Sequence, residues 1–463
     1  MKNQNSPSSS VDELFKQKTA RINTNEYLWA DIVAAKEAGK VLGTLLIPVL
    51  AEKLGRKNGL LLNCLFVIVG SYLCLISIRA EIHVIIVGRI ILGITMICGA
   101  GLASLFLIEV APMEFRGISG SFIQIFRGVG GLLGMALALP DLMGTPELWT
   151  WALAVPAIPA LIQFLVLICA AESPRHAFIT RDDPLGAAHA VQYYQGSERV
   201  GPAMVELSSE KVHIEKQQKI DIRLLIKSND FWRPFLLAAL ALTNRSLAGI
   251  LLIQSYSTDF FIGAGFSTKA ASYSTVGLGL CHLISAVSVS CTVEKLGRRP
   301  LLIGSNIGCL LMLVVVAVAS YVSQVKALAG GKLTQKYLQY SSFACYFTVG
   351  GLLIFMLIYP ILASVSNIVA SEICHQHVRS YAFTVGLLVY SIVGLLSTYT
   401  YPLLKNTFGL PWSFTPFVLC LAMTVIAYCF WLPETLGRTF ESIAFAEDPP
   451  VDKKFADETE END

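Results

Sequence analysis

Residues 294–325 read EKLGRRPLLIGSNIGCLLMLVVVAVASYVSQV, a short charged motif followed by a stretch without any charged side chain. A helix that crosses the hydrocarbon core of a bilayer needs about 20 apolar residues. It must also bond its own backbone polar groups, because no water reaches them there. Residues 300–325 therefore predict a transmembrane helix, and the charged motif predicts the point at which the chain enters the membrane.

Ten further stretches have the length and apolar character of a membrane span. Seven of them contain no charged residue: 58–78, 90–108, 148–171, 270–293, 337–371, 380–404 and 406–433. Three are apolar but interrupted by charges: 28–50, 117–140 and 231–265. Only 15% of the 463 residues are charged, whereas a typical soluble domain has about 25%. The sequence therefore predicts an all-α polytopic membrane protein with eleven spans.

Three charged motifs occur twice between these spans, in the same order. The pairs are EKLGRK (52–57) with EKLGRR (294–299), EVAPMEFRG (109–117) with EICHQHVRS (372–380), and ESPR (172–175) with ETLGR (434–438). All six motifs fall on one side of the membrane in the eleven-span topology. That side also has the excess of lysine and arginine, which predicts that it is cytoplasmic. Two halves with the same orientation form a parallel repeat.

The repeat divides the chain into five segments. They are a polar segment (1–27), a bundle of five spans (28–171), a cytoplasmic linker with short helices (172–230), a bundle of six spans (231–433) and an acidic cytoplasmic tail (434–463). In the first half the first motif follows the first span, whereas in the second half it follows the second span. We therefore expect that the first helix of the first half is missing, either because it was lost or because the gene model is truncated.

At these motifs the sequence resembles the sugar porter branch of the major facilitator superfamily, and most closely the animal facilitative glucose and fructose transporters. The resemblance extends from about residue 29 to residue 443 and includes GRIILG (88–93), AESPR (171–175) and PETLGRTFESI (433–443). It implies a major facilitator fold of two parallel helix bundles. The solute would bind between the bundles and move by alternating access, without a catalytic residue, a cofactor or a metal.

The resemblance also implies that the charged motifs form a gating latch at the cytoplasmic helix ends. Ion pairs of modest strength would hold the halves together while the site faces outward and would separate when it faces inward. This role is assigned to Arg56, Arg89, Glu109, Arg116, Glu172, Arg298, Glu372, Arg379, Glu434 and Arg438. The alternative is that these charges set the topology and have no part in gating.

Most of the sugar-contact positions of that family are replaced in this sequence. The family has two Gln and an Asn on its seventh helix, an Asn on its eighth and a stacking Trp on its tenth. By resemblance, the corresponding positions hold Arg245, Ser246, Leu251, His282 and Asn367. Gln124, on the fifth helix, is the one polar contact that is kept. With the nearby Arg127, the candidate substrate-binding residues are Gln124, Arg127, Arg245, Ser246, His282 and Asn367.

These replacements leave more than one interpretation open. Ionisable residues inside a membrane are costly and by default mark a site or a pathway. Two arginines and a histidine would suit an anionic solute. Alternatively, Arg127 and Arg245 snorkel, or pair with Glu37 or Asp259, in a protein that is no longer selected for transport. A further alternative is a sensor or regulatory subunit that does not transport. The leading interpretation is a facilitative carrier for a hexose or a related small solute, and proton coupling is neither supported nor excluded.

An enzyme is not expected, because the sequence has no HExxH motif, no Gly-rich phosphate loop and no nucleophile elbow. The expected partners are a small-molecule solute and the lipid bilayer. Nucleic acid is not among them, because a net charge of +2 provides no electrostatic basis for binding it. The plasma membrane is the expected location, and the oligomeric state is left open.

Overall fold

The computed structural model describes residues 8–77, 82–112, 115–145, 147–217, 229–328, 335–373 and 376–432. The first half contains α1 (Ser8–Lys53), α2 (Arg56–Ile76), α3 (Ile82–Val110), α4 (Arg116–Leu137), α5 (Trp149–Ala154) and α6 (Ala157–Cys169). The connecting region contains a π-helical turn (His176–Thr180), α7 (Pro184–Gln195), a 3-10 turn (Ser197–Arg199) and α8 (Val200–Gln217). The second half contains α9 (Asn229–Leu247), α10 (Ile250–Gly263), α11 (Thr268–Leu296), α12 (Arg298–Leu328), α13 (Gln335–Ile373), α14 (Gln376–Phe408), a 3-10 turn (Leu410–Phe414) and α15 (Thr415–Trp431).

Within these ranges, nine helices or helix pairs are long and apolar enough to cross a membrane. They coincide with nine of the eleven predicted spans. The other two predicted spans, 28–50 and 117–140, lie in the helices α1 and α4. The charged residues of the 28–50 window remain inside α1, and the described residues of α4 include the apolar helical segment Phe122–Leu137. The predicted all-α polytopic fold is confirmed, and the described ranges contain no β-strand.

Two of the predicted spans are broken helices rather than continuous ones. The span 148–171 divides into α5 and α6 at Pro156, a residue that has no backbone N–H to continue the helical bonding. The span 231–265 divides into α9 and α10 at Gly249, whose φ of +77° lies in the left-handed region that favours glycine. The second break follows Arg245 and Ser246 directly, so two candidate site residues lie at the end of α9.

Helices α1 and α3 approach each other closely through three glycines. A Cβ atom added at Gly93 of α3 would lie 2.0 Å from the main-chain oxygen of Lys36 and 3.0 Å from the Cα of Gly39. A Cβ atom at Gly39 would lie 2.1 Å from the main-chain oxygen of Ile90. Gly43, four residues after Gly39, also faces α3. Small residues at a spacing of four allow this kind of backbone contact between membrane helices.

The two halves meet along two helix pairs, α1 with α14 and α4 with α11. In the first pair, Thr44 Oγ1 lies 3.5 Å from Ser391 Oγ, which is near the middle of α14. Beyond the end of α4, Asp141 accepts hydrogen bonds from Lys269 Nζ at 3.0 Å and from the Tyr273 hydroxyl at 2.6 Å. The second contact lies at the predicted extracellular end, so it holds the halves together on the side opposite the repeated motifs.

Candidate functional site

Arg245 lies at the centre of a polar cluster formed by three helices of the second half. Its Nη1 donates a hydrogen bond to Asn367 Oδ1 of α13 at 3.0 Å. Its guanidinium carbon lies 5.2 Å from the ring centroid of Tyr390 of α14, a cation–π contact. The Tyr359 hydroxyl donates to its main-chain oxygen at 3.4 Å. The structure therefore brings together Arg245 and Asn367, which are two of the predicted site residues.

Arg127 and His282 join this cluster, one from each half. Arg127, on α4 of the first half, lies within Coulombic range of Arg245, Tyr359 and Tyr390. His282 of α11 lies within Coulombic range of Arg127, and its ring centroid is 6.5 Å from that of Tyr359. Residues of both halves thus surround one region between the bundles, which is where a solute binds in a parallel-repeat transporter.

Open space lies beside Arg127 on α4. Arg127, Gly130, Gly131 and Gly134 follow one another at helical spacing and share one face. A Cβ atom added at any of these glycines would meet nothing within 4 Å. The side chain of Arg127 is itself exposed, although it lies within Coulombic range of the second half. It therefore borders both this open space and the second half.

The remaining predicted site residues are Gln124 and Ser246. Gln124 precedes Arg127 by about one helical turn and is half-buried. Ser246 is buried, and its hydroxyl has no hydrogen-bond partner among the described residues. Sequence reasoning missed Tyr359 and Tyr390, because a tyrosine in an apolar span looks the same whether it packs in the core or lines a site.

The two carboxylates considered as partners for the arginines are bonded to lysines instead. Glu37 accepts two hydrogen bonds of 2.8 Å from Lys40, and both side chains are buried. Asp259 accepts from Lys405 Nζ at 2.9 and 2.8 Å and from the Tyr401 hydroxyl at 2.6 Å. In the part of the chain that the structure describes, no carboxylate lies within ion-pair distance of Arg127 or Arg245.

A second cluster, here called the motif cluster, joins the three charged motifs of the first half. Arg56 donates to Glu109 Oε1 through Nε at 3.1 Å and through Nη2 at 2.7 Å. The Ser173 hydroxyl donates to the other carboxylate oxygen of Glu109. Glu172 accepts from the backbone N–H of Lys57 at 2.8 Å. Because both carboxylates receive several bonds, the cluster fixes the ends of α2, α3 and α6 against one another.

The second half repeats the main ion pair of the motif cluster. Arg298 and Glu372 occupy the positions equivalent to Arg56 and Glu109 in the repeated motifs, and their Nε and Oε1 atoms are 3.4 Å apart. Each pair lies inside one half. Among the described residues, these bonds therefore stabilise each bundle separately and do not connect the bundles.

Among the other predicted latch residues, Arg89 lies outside this cluster. Arg89 lies 20 residues before Glu109 on α3, about 30 Å away at 1.5 Å per residue, and its Nε donates to the main-chain oxygen of Ile32 at 3.3 Å. The side chains of Arg116 and Arg379 lie outside the described residues, as do Glu434 and Arg438. Their part in a latch stays a prediction.

His176, one residue beyond the ESPR motif, was missed by sequence reasoning. Its Nδ1 accepts a hydrogen bond from Arg56 Nη1 at 3.0 Å, because an arginine side chain can only donate. Burial, and then the charge of Arg56, lower the pKa of His176 below its usual value of 6.5. The ring is therefore neutral at pH 7, since protonation would remove the acceptor and place two cations in contact.

We expect the stability of the protein to fall in mild acid because of His176. A histidine whose pKa is lower in the folded state contributes stability above about pH 6.5, and this contribution is lost as the pH falls through the lowered pKa. The measurement is the melting temperature in detergent at pH 7.5 and pH 5.0. The decrease should be larger for the native chain than for His176→Gln, and equal decreases would contradict this role.

The fold and the site together define a class of protein. Parallel helix bundles that surround a polar region at mid-membrane are characteristic of a solute transporter of the major facilitator type. The family described as "Sugar (and other) transporter" matches residues 3–446, and the chain belongs to that family. It is therefore a transporter of the sugar-porter type and not an enzyme.

Individual relatives and solved structures agree with this assignment. Solute carrier family 2, facilitated glucose transporter member 4 of Mus musculus is 28% identical over 430 residues, covering 90% of this chain and 79% of the relative. Member 7 of Mus musculus is 29% identical over 427 residues, with 90% and 80% covered. The inward-open xylose transporter XylE from E. coli superposes with a TM-score of 0.72 at 18% identity, covering 91% and 90% of the two chains.

Proposed function

We propose that this chain is a facilitative carrier of a small hydroxylated solute, a hexose or a relative of one, in the plasma membrane. The observation that carries the proposal is the approach of Arg127, on the first half, to Arg245 of the second half beside an open space. A site built by both halves changes its access when the halves move, which is the requirement for alternating access.

The contacts between the halves suit a rocking motion. The bonds that hold each bundle together, such as Arg56 with Glu109 and Arg298 with Glu372, lie within one half and can persist during the motion. Asp141 with Lys269 joins the halves at the predicted extracellular end and is well exposed. An exposed ion pair contributes little stability, so this contact can open and close at small cost.

The side chains at the site suit a solute rich in hydroxyl groups. Asn367, Gln124 and Ser246 offer donors and acceptors, and Tyr359 and Tyr390 offer ring faces as well. Each hydrogen bond to a hydroxyl contributes only about 1 kcal/mol net, so several of them are needed for affinity. The first relatives carry the name facilitated glucose transporter, which supports a solute of the sugar class.

Counterflow in proteoliposomes tests this proposal. Vesicles that contain the purified full chain are preloaded with an unlabelled solute and diluted into a trace of the same labelled solute, using D-glucose, D-fructose and D-glucuronate in turn. A carrier accumulates label transiently above equilibrium. Each outward passage of unlabelled solute brings the binding site to the outer face of the vesicle, where it binds labelled solute and carries it inward. We expect this overshoot for at least one of the solutes, and its absence for all three with folded protein would contradict the proposal.

Surface biotinylation of intact cells tests the location.

A further inference from the structure

The site between the halves has more positive charge than the described residues balance. Arg245 is 7% exposed, and its Nε is buried without a hydrogen-bond partner among the described residues. The groups that contact its guanidinium are the amide of Asn367 and the ring of Tyr390, and both are neutral. A buried charge without a counter-ion is costly, so Arg245 lies in an unfavourable environment among the described residues.

Arg127 adds a second charge of the same sign within Coulombic range. The carboxylates of the neighbouring spans do not compensate for it, because Glu37 is bonded to Lys40 and Asp259 to Lys405. The carboxyl-terminal dipole of α9 supplies Arg245 with only about half a negative charge. Among the residues that the structure describes, the two guanidinium groups therefore leave a net positive charge between the bundles.

We infer that the solute bears one anionic group, a carboxylate or a phosphate, that binds between Arg127 and Arg245. This inference rests on the proposed function, and it assigns the substrate class to the same site. A planar guanidinium binds carboxylate or phosphate oxygens in pairs. The hydroxylated part of the solute then contacts Asn367 and Gln124.

Transport of matched labelled solutes into proteoliposomes tests the inference. The probes are D-glucose, D-glucuronate and glucose 6-phosphate, which share a sugar ring and differ in the group at carbon 6. We expect kcat/KM to be at least tenfold higher for one of the two anions than for glucose, as charge-assisted hydrogen bonds predict. The comparison of the two anions decides whether the group is a carboxylate or a phosphate.

Variants connect this preference to the two arginines. Arg245→Gln and Arg127→Gln should each remove the preference for the anion, whereas Arg181→Gln, which removes an exposed charge outside the spans, should keep it. Arg127 is exposed, so its substitution does not endanger the fold. Equal transport of glucose and the anions, or a preference that survives both substitutions, would overturn the inference and leave the proposed function intact. Transport of none of the probes by folded protein would overturn both.

A binding measurement gives a readout that does not depend on the variants. D-glucuronate and its neutral amide have nearly the same shape, so a site for a sugar ring alone would treat them alike. If the anionic group is a carboxylate, we expect D-glucuronate to raise the melting temperature of the native chain in detergent more than its amide does. If the group is a phosphate, we expect glucose 6-phosphate to raise the melting temperature more than glucose does. Equal shifts in both comparisons would overturn the inference.

Discussion

Gly93→Ala should destabilise the protein severely, by about 3 kcal/mol or more in the free energy of unfolding. The new methyl group would lie 2.0 Å from the main-chain oxygen of Lys36 and 3.0 Å from the Cα of Gly39. Both of these are backbone atoms, which cannot rotate away as a side chain can. Helices α1 and α3 would have to separate along their length, and overpacking of this kind costs typically 1–3 kcal/mol and occasionally more.

The matched control for this substitution is Gly131→Ala on α4. A Cβ atom at Gly131 meets nothing within 4 Å, and alanine is favoured over glycine inside a helix by about 0.5–1 kcal/mol. The measurement is the fraction of protein that remains monodisperse in detergent after heating. Gly93→Ala should lose this fraction at a much lower temperature than Gly131→Ala, and similar curves for the two would show that α1 and α3 do not make this contact.

Transport should stop when cysteines at positions 141 and 269 are cross-linked. The Asp141 carboxylate and the Lys269 ammonium group are 3.0 Å apart, belong to different halves and are well exposed. A short bifunctional thiol reagent can therefore join Asp141→Cys and Lys269→Cys. Because the halves must separate at this end to admit a solute, we expect uptake to fall to that of protein-free vesicles and to return after the linker is cleaved.

The control for the linker is a pair of cysteines within the connecting region. Asp182 and Lys211 form an ion pair there, and a linker between Asp182→Cys and Lys211→Cys should leave uptake unchanged. In both proteins the exposed Cys169 and Cys429 are replaced by serine, so that the reagent meets fewer native thiols. Full uptake with complete cross-linking of positions 141 and 269 would mean that this end does not open during transport.

The fold could be predicted largely from where charges are absent. Windows such as 300–325 and 380–404 have no charged residue. Inside a bilayer such a segment must bond its own backbone polar groups, and a helix does this. The exact breaks could not be predicted, because Gly249 and Pro156 differ little by sequence from other glycines and prolines that lie inside helices. Pro360 and Pro402, for example, lie within α13 and α14.

The site could be predicted only in part. The repeated motifs indicated that Arg56 corresponds to Arg298 and Glu109 to Glu372. They could not show that Arg56 forms an ion pair with Glu109, because that depends on how closely α2 and α3 pack. Arg245 and Asn367 are far apart in sequence, so their hydrogen bond depends on how α9 and α13 pack.

The counter-charges are the clearest case of what sequence could not decide. Glu37 and Asp259 were both possible partners for the arginines, since each lies in a span. The structure assigns them to Lys40 and Lys405, which leaves Arg127 and Arg245 for another group. Because a carboxylate bonds whichever cation its helix packing brings near, composition alone could not distinguish these pairings.

The most direct test of a carrier that works by alternating access is the counterflow measurement on the purified full chain. Preloaded proteoliposomes should accumulate labelled D-glucose, D-fructose or D-glucuronate transiently above equilibrium, with a return to equilibrium as the gradient of unlabelled solute decays. Folded protein that shows no overshoot for any of these solutes would contradict the account.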